Sequence, residues 1–132
     1  MSINLETARK AARAALAEGA RQGWTVAVAV VDPAGELVYF ERMDDTQIAS
    51  AQVCQEKART AARFKRPSKA FEDVLASGRL AVLGLGVTPL EGGIPLMVDG
   101  KIIGAIGVSG VTSQQDGVCA QAGVDALDKR SE

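Results

Sequence analysis

The apolar positions of this chain fall first into a helical pattern and then into two extended ones. Between Asn4 and Gln22, small and apolar residues recur every three or four positions, which predicts an amphipathic helix. The uninterrupted apolar and β-branched run from Thr25 to Val31 is typical of a strand that is buried on both faces. Asp32 to Gly35 has turn chemistry and Glu36 to Arg42 predicts a second strand, so the two strands should form a hairpin.

Helical spacing returns in the middle of the chain. It predicts a long helix over Thr46 to Phe64, with Ile48 and several alanines facing inward, and a shorter helix from Pro67 to Leu75. A short apolar run, Leu80 to Leu85, then leads into a loop rich in glycine and proline. These helices should cover the sheet that the strands form.

The last third of the chain predicts a second hairpin and a final helix. Ile94 to Val98 and Lys101 to Val108 have strand character. Asp99-Gly100 joins them, and this dipeptide favours a two-residue turn that needs positive φ. Gln114 to Leu127 predicts the last helix, and the polar end, Asp128 to Glu132, is expected to fray.

The resulting order, α-β-β-α-α-β-β-α, predicts an α/β (α+β) fold with helices flanking a central, mainly antiparallel sheet. The chain has 132 residues, of which 47% are hydrophobic and 23% charged. These values suit a single globular domain over residues 1–132.

Charge and missing residue types exclude several classes of function. The net charge is −1, and acids elsewhere balance the basic cluster from Lys57 to Arg66, so a nucleic-acid partner is not expected. No apolar run reaches the ~20 residues of a membrane helix, and the N-terminus lacks the order of a signal peptide, so we expect a cytoplasmic protein. There is no histidine, which excludes most zinc sites, Ser-His-Asp triads and His-ligated haem. Cys54 and Cys119 lack the spacing of metal ligands, and we predict no metal site and two reduced, buried thiols.

Arg42, Asp44 and Lys57 form the first candidate group. An arginine can orient a carboxylate through two parallel hydrogen bonds, and a desolvated lysine can act as a base or form a Schiff base. The alternative is an ion-pair network that holds the corner between strand and helix, or a subunit interface. Both interpretations stay open at the level of sequence.

The loop that contains Thr88, Glu91, Gly92, Gly93 and Pro95 is the second candidate. Consecutive backbone N–H groups of such a glycine pair can bind an anion, and Thr88 and Glu91 flank them. The alternative is a loop whose glycines supply the positive φ needed to enter a strand.

Ser109-Gly110, ahead of the last helix, is a third candidate, because a helix N-terminus attracts anions. The alternative is simple capping of the helix by Ser109, Thr112 or Ser113.

Several stretches, in this order and across nearly the whole chain, resemble the GlcG/HbpS-like family, which includes the C-terminal domain of PduO-type proteins. They are Val30-Val31-Asp32 with Gly35 and Leu37; Phe40 with Arg42-Met43-Asp44; Lys57-Ala58, Thr60-Ala61 and Phe64; Gly92-Gly93-Ile94-Pro95-Leu96; Gly104 to Gly110; and Asp116 with Ala122-Gly123.

The resemblance implies a profilin-like α/β/α fold, homo-oligomers and a ligand pocket near subunit contacts. Some relatives bind haem, so haem is a possible ligand, although no cofactor is required. Since this chain has no histidine, a haem would need Tyr39, Met43, Met97 or a cysteine.

Three functions follow as hypotheses. The first is a protein that binds or senses a small ligand, either haem or a small carboxylate metabolite, at a subunit interface. The second is an isomerase or lyase for a small organic acid, in which Arg42 binds the carboxylate and Lys57 or Glu91 moves a proton. The third is an oligomeric scaffold without chemistry. The expected partners are further copies of the chain and a small molecule, with no membrane.

Overall fold

Helices and strands follow one another in the order that the sequence predicts. The computed structural model describes residues 1–127, so the predicted fraying of Asp128–Glu132 lies outside the described residues. The elements are α1 (Leu5–Gln22), β1 (Ala27–Val31), β2 (Leu37–Arg42), α2 (Ser50–Phe64), α3 (Lys69–Ala76), a 3₁₀ helix (Leu80–Leu85), β3 (Gly93–Val98), β4 (Lys101–Ser109) and α4 (Ser113–Asp125). Within residues 1–127, no helix is long and apolar enough to cross a membrane.

The four strands form one antiparallel sheet in the order β2-β1-β4-β3. Alanines of α1 and residues of α4 pack on one face, with the valines of β1 that point that way. Alanines of α2 pack on the other face. The arrangement confirms the predicted α/β/α fold, and β1 is buried along its whole length because both faces are covered.

Both predicted hairpin turns are present. The Asp32 carboxylate accepts the N–H groups of Ala34 (2.9 Å) and Glu36 (3.0 Å), while Gly35 adopts a φ of 91°. In the second turn, Asp99 and Gly100 both have positive φ, at 52° and 78°. Both turns could be predicted from the sequence because each type of turn requires particular residues at particular positions.

Helix α2 lies unusually close to the sheet. A Cβ atom at Gly107 would overlap the carbonyl oxygen of Cys54, and one at Gly93 would overlap that of Lys57. The strand positions that α2 contacts are accordingly glycine or small apolar residues. The helix backbone rests almost directly on the strands, which places Lys57 beside the end of β4.

The beginning of α2 differs from the prediction. The helix starts at Ser50 rather than Thr46, and Ile48 is 87% exposed instead of facing inward. Asp45 has a φ of 65°, and the Thr46 hydroxyl donates to the Met43 carbonyl oxygen at 2.7 Å. Residues 43–46 therefore form a turn in place of the first turn of the predicted helix. As a result, the Ile48 side chain points to solvent and not into the core.

Candidate ligand-binding site

A buried ion pair between Lys57 and Asp116 joins the two helical layers at the end of β4. The Lys57 Nζ atom donates to Asp116 Oδ2 at 2.9 Å and to the Val108 carbonyl oxygen at 3.0 Å. The two side chains are only 2% and 3% exposed. Asp116 Oδ1 also accepts the Val111 N–H at 3.1 Å. Burial raises the pKa of Asp116, and the neighbouring Lys57 ammonium opposes that shift. The pair is thus costly to desolvate and well satisfied by hydrogen bonds.

The structure does not bring Lys57 to Arg42 and Asp44. Arg42 ends the edge strand β2 and Asp44 follows it, and both are exposed. The ammonium group of Lys57 instead bonds to Val108 and Asp116. Lys57 therefore acts as an internal ion-pair partner, which corresponds to the structural alternative for this residue, while the roles predicted for Arg42 and Asp44 stay predictions.

The glycine loop is held by hydrogen bonds from inside the protein. Gly93 donates its N–H to the Ser68 hydroxyl at 2.8 Å, and Glu91 donates its N–H to Glu72 Oε1 at 2.7 Å. Gly92 has a φ of 133°, and a Cβ there would lie 2.6 Å from the Val108 carbonyl oxygen. The N–H groups of Glu91 and Gly93 are thus already engaged, and the conformation of Gly92 supports the strand-entry alternative.

The side chain of Glu91 lines a cavity of about 330 Å³, here called the Glu91 cavity. Its walls are formed by Pro67, Lys69, Glu91, Gly92, Gly93, Ile94, Gly117, Val118 and Gln121. The carboxylate lies against Gly117 of α4, where a Cβ atom would collide with it. Within residues 1–127 this half-buried carboxylate has no hydrogen-bond or ion-pair partner. Desolvation raises the pKa of Glu91, Lys69 lowers it, and Glu72 and Asp73 raise it further.

Two contributors to this region had no role assigned from sequence. Asp116 stood among the residues of the resemblance, but its partner lies 59 positions away. Gly117, inside α4, makes room for the Glu91 carboxylate. A glycine within a helix is a usable signal, since it lowers helix stability and so indicates close approach of another group.

The other predicted site residues lie apart from the Glu91 cavity. Thr88 lines a second cavity on the far side of the loop. Pro95 pairs with Ala105 in the sheet. Ser109 is buried at the end of β4, and Gly110 has a φ of 153°, where a Cβ atom would lie 2.5 Å from the Thr25 carbonyl oxygen. Of the three candidate caps, Thr112 caps the last helix, and its hydroxyl accepts the N–H of Gln115, the third helical residue, at 3.2 Å.

Among the described residues, none of those suggested as haem ligands lines the Glu91 cavity or the cavity at Thr88. Burial raises the pKa of Cys54 to about 12 and that of Cys119 to about 11, so both thiols stay protonated at neutral pH. The Tyr39 hydroxyl donates to a neighbouring glutamate, and the Met43 sulfur accepts a backbone N–H. Met97 is half exposed and lines neither cavity. Residues 1–127 also contain no group of three or more His, Cys, Asp or Glu that could hold a metal ion.

The fold matches solved structures closely. The crystal structure of HbpS superposes with a TM-score of 0.88 at 32% identity, covering 97% of this chain and 92% of that one. A crystal structure of a PduOC:heme complex superposes with a TM-score of 0.87 at 28% identity, covering 97% and 96% of the two chains.

Sequence comparison gives the same relatives. Protein GlcG of Escherichia coli strain K12 is 47% identical over 93 residues, which are 70% of this chain and 69% of GlcG. The model of the family described as "Haem degrading protein HbpS-like" matches residues 3–125. The family model thus covers nearly the whole chain, including all four strands and the glycine loop. The protein belongs to the HbpS-like family.

Proposed function

We propose that this protein binds a small ligand in the Glu91 cavity. The observation that carries the proposal is the Glu91 carboxylate, which is half buried in a concave wall without a partner within residues 1–127. Burial desolvates this carboxylate only in part, and no fully buried side-chain oxygen or nitrogen lacks a partner among the described residues, so a ligand that supplies a donor would replace water at the carboxylate with a hydrogen bond inside the cavity. A volume of about 330 Å³ suits a small metabolite.

Charges around the cavity favour a ligand with hydroxyl or amino donors over an anion. Glu72 and Asp73 add negative potential at Glu91, while Lys69 and Lys57 oppose it. Each of these ammonium groups already pairs with a carboxylate at 2.9 Å. The uncompensated charge facing the cavity is therefore negative, which disfavours the small carboxylate metabolite at this position.

Haem is the competing ligand, because relatives of this chain include HbpS and PduOC, the latter crystallised as a haem complex. The polar side chains that line the Glu91 cavity are those of Glu91, Lys69 and Gln121, and none of its lining residues supplies a thioether, thiolate or phenolate ligand. Met97 on β3 is the exposed alternative, since its side chain is 50% exposed.

A second candidate function is proton transfer by Glu91. The pKa of Glu91 is raised towards neutral pH, and a general base works best when its pKa lies near the pH of the reaction. Lys57 is not available as a base or a Schiff-base nucleophile, since it is buried and bonded to Asp116. An isomerase or lyase reaction at this site would therefore depend on Glu91.

Replacing Glu91 with Gln should remove the ligand without unfolding the protein. Protein purified from its own host is examined by native mass spectrometry and by absorption spectroscopy. We expect the wild type to carry a small adduct that Glu91→Gln lacks, because the amide cannot reproduce a charge-assisted hydrogen bond. The matched control is Glu36→Gln, an exposed glutamate in a turn outside the cavity.

Each outcome of that comparison decides between the hypotheses. An adduct equally present in Glu91→Gln contradicts the assignment of the cavity. A Soret band identifies haem instead, and no ligand in any variant supports the scaffold hypothesis. If the released ligand exchanges carbon-bound hydrogen with deuterated water only in the presence of wild-type protein, Glu91 is catalytic.

We also propose that the chain forms the homo-oligomer expected from the sequence and acts in the cytoplasm. Leu80, Leu83 and Leu85 of the 3₁₀ helix are 70%, 57% and 53% exposed, and such apolar surfaces mark interfaces.

Sedimentation at micromolar concentration should therefore show a dimer or a larger species. Leu83→Asp should shift it to a monomer of unchanged helical content, because it places a charge in the contact. A wild type that is strictly monomeric would contradict the oligomer.

A further inference from the structure

The cavity on the far side of the glycine loop has no role in the proposed function. It measures about 390 Å³ and shares no lining residue with the Glu91 cavity. Its walls are formed by Glu56, Arg59, Thr60, Arg63, Phe64, Gly86, Val87 and Thr88. Arg59 and Arg63 stand one helical turn apart on α2, so both guanidinium groups border the same space. We propose that this arginine cavity binds a small carboxylate metabolite.

Arg59 and Arg63 are held in place by backbone rather than by acids. Arg59 Nε donates to the Gly35 carbonyl oxygen at 3.3 Å, and Arg63 Nε donates to the Ala34 carbonyl oxygen at 3.2 Å. A Cβ at Gly35 would lie 2.9 Å from the Arg59 side chain, so the β1–β2 turn packs tightly on these stems. Each guanidinium is thereby oriented through one nitrogen, and its two terminal nitrogens remain for a ligand.

Neither arginine has a carboxylate partner among the described residues. The contrast with α1 is clear, since Arg9, Arg13 and Arg21 each pair with a glutamate at 3.0 Å or less. A planar guanidinium with free terminal nitrogens matches the geometry of a carboxylate through two parallel hydrogen bonds.

The acid in the cavity is already engaged. Glu56 accepts the Gln52 side-chain N–H at 2.8 Å and the Thr88 hydroxyl at 3.2 Å. Two guanidinium groups therefore face one carboxylate, and the local charge is positive. Phe64 adds an apolar wall for the carbon skeleton of a ligand. The carboxylate expected from the sequence would thus be bound by Arg59, which is partly buried, and Arg63, which is exposed at the rim, rather than by Arg42 on the edge strand.

Isothermal titration of the full chain with succinate, a dicarboxylate probe, tests the assignment, with inorganic phosphate as the competing anion. We expect succinate to bind more tightly than phosphate. Arg59→Gln and Arg63→Gln should each weaken succinate binding about tenfold or more, because each removes a charge-assisted contact. Arg59→Lys keeps the charge but loses the planar fork, and should fall between the wild type and Arg59→Gln.

The controls separate this site from the Glu91 cavity and from misfolding. Arg79→Gln, at an exposed arginine outside the cavity, and Glu91→Gln should both leave succinate affinity unchanged. Thermal unfolding confirms that each variant is folded. Equal affinity in the wild type and Arg59→Gln, stronger binding of phosphate, or no succinate binding at millimolar concentration would each overturn the proposal.

Discussion

Replacing Lys57 with Ala should lower the free energy of unfolding by about 3–5 kcal/mol, because it leaves Asp116 buried without its partner. The carboxylate is 3% exposed and would keep the Val111 N–H but lose its ammonium. Its pKa, already raised by burial, would rise further once the opposing lysine is gone. Urea denaturation followed by circular dichroism measures the loss.

Two comparisons make this measurement specific. Lys69→Ala removes an exposed ion pair with the same 2.9 Å separation, and should cost only about 0–1 kcal/mol. The double variant Lys57→Met with Asp116→Asn should recover much of the loss, because the amide oxygen still accepts the Val111 N–H while no charge stays buried. A fully stable Lys57→Ala variant that had lost its ligand or activity would instead restore the catalytic hypothesis for Lys57.

Replacing Gly107 with Ala should destabilise the protein by about 1–3 kcal/mol, or prevent folding, by forcing α2 away from the sheet. The new methyl group would overlap the Cys54 carbonyl oxygen and lie 2.6 Å from the Ala58 nitrogen. Both obstacles are helix backbone, which has no alternative rotamer. Urea denaturation again measures the effect.

Gly84→Ala is the matched control, since it adds the same methyl group where no atom lies within 4 Å and φ is not positive. It should be neutral or slightly stabilising, because alanine restricts the unfolded chain. A Gly107→Ala variant as stable as Gly84→Ala would mean that α2 has room to move, and the close contact between helix and sheet would be wrong.

Most of the fold could be predicted because its signals are local. Gly23 ends α1 in the left-handed conformation with a φ of 81°, and the Asn4 side chain accepts the Thr7 N–H at its start. The turn at Asp99-Gly100 likewise depends on its own residues alone. The start of α2 was predicted too early because residues such as Ile48 have helical spacing, while the preceding turn decides where the helix begins.

The candidate sites were less readable, because they depend on which side chains meet across layers. Arg42, Asp44 and Lys57 looked like one group because all are polar and close in the sequence. Arg42 and Asp44 stay exposed at one edge of the sheet, whereas Lys57 of α2 is buried against the end of β4. The spacing of these residues along the chain does not predict their separation in space, because that separation arises from the order of the strands in the sheet.

The sequence by itself determined the hairpins, the order of the elements, the two-sided burial of β1 and the family. Each of these depends on short stretches of chain: turn residues, the spacing of apolar residues, and the glycine-containing motifs of the family. Only the tertiary structure decided the chemistry. Lys57 meets Asp116 across 59 positions, and Glu91 lies against Gly117 with no side-chain partner among residues 1–127. Both contacts depend on how closely α2 and α4 approach the sheet and on how much water is removed from the charged groups. Neither is defined until the helices have packed on the sheet.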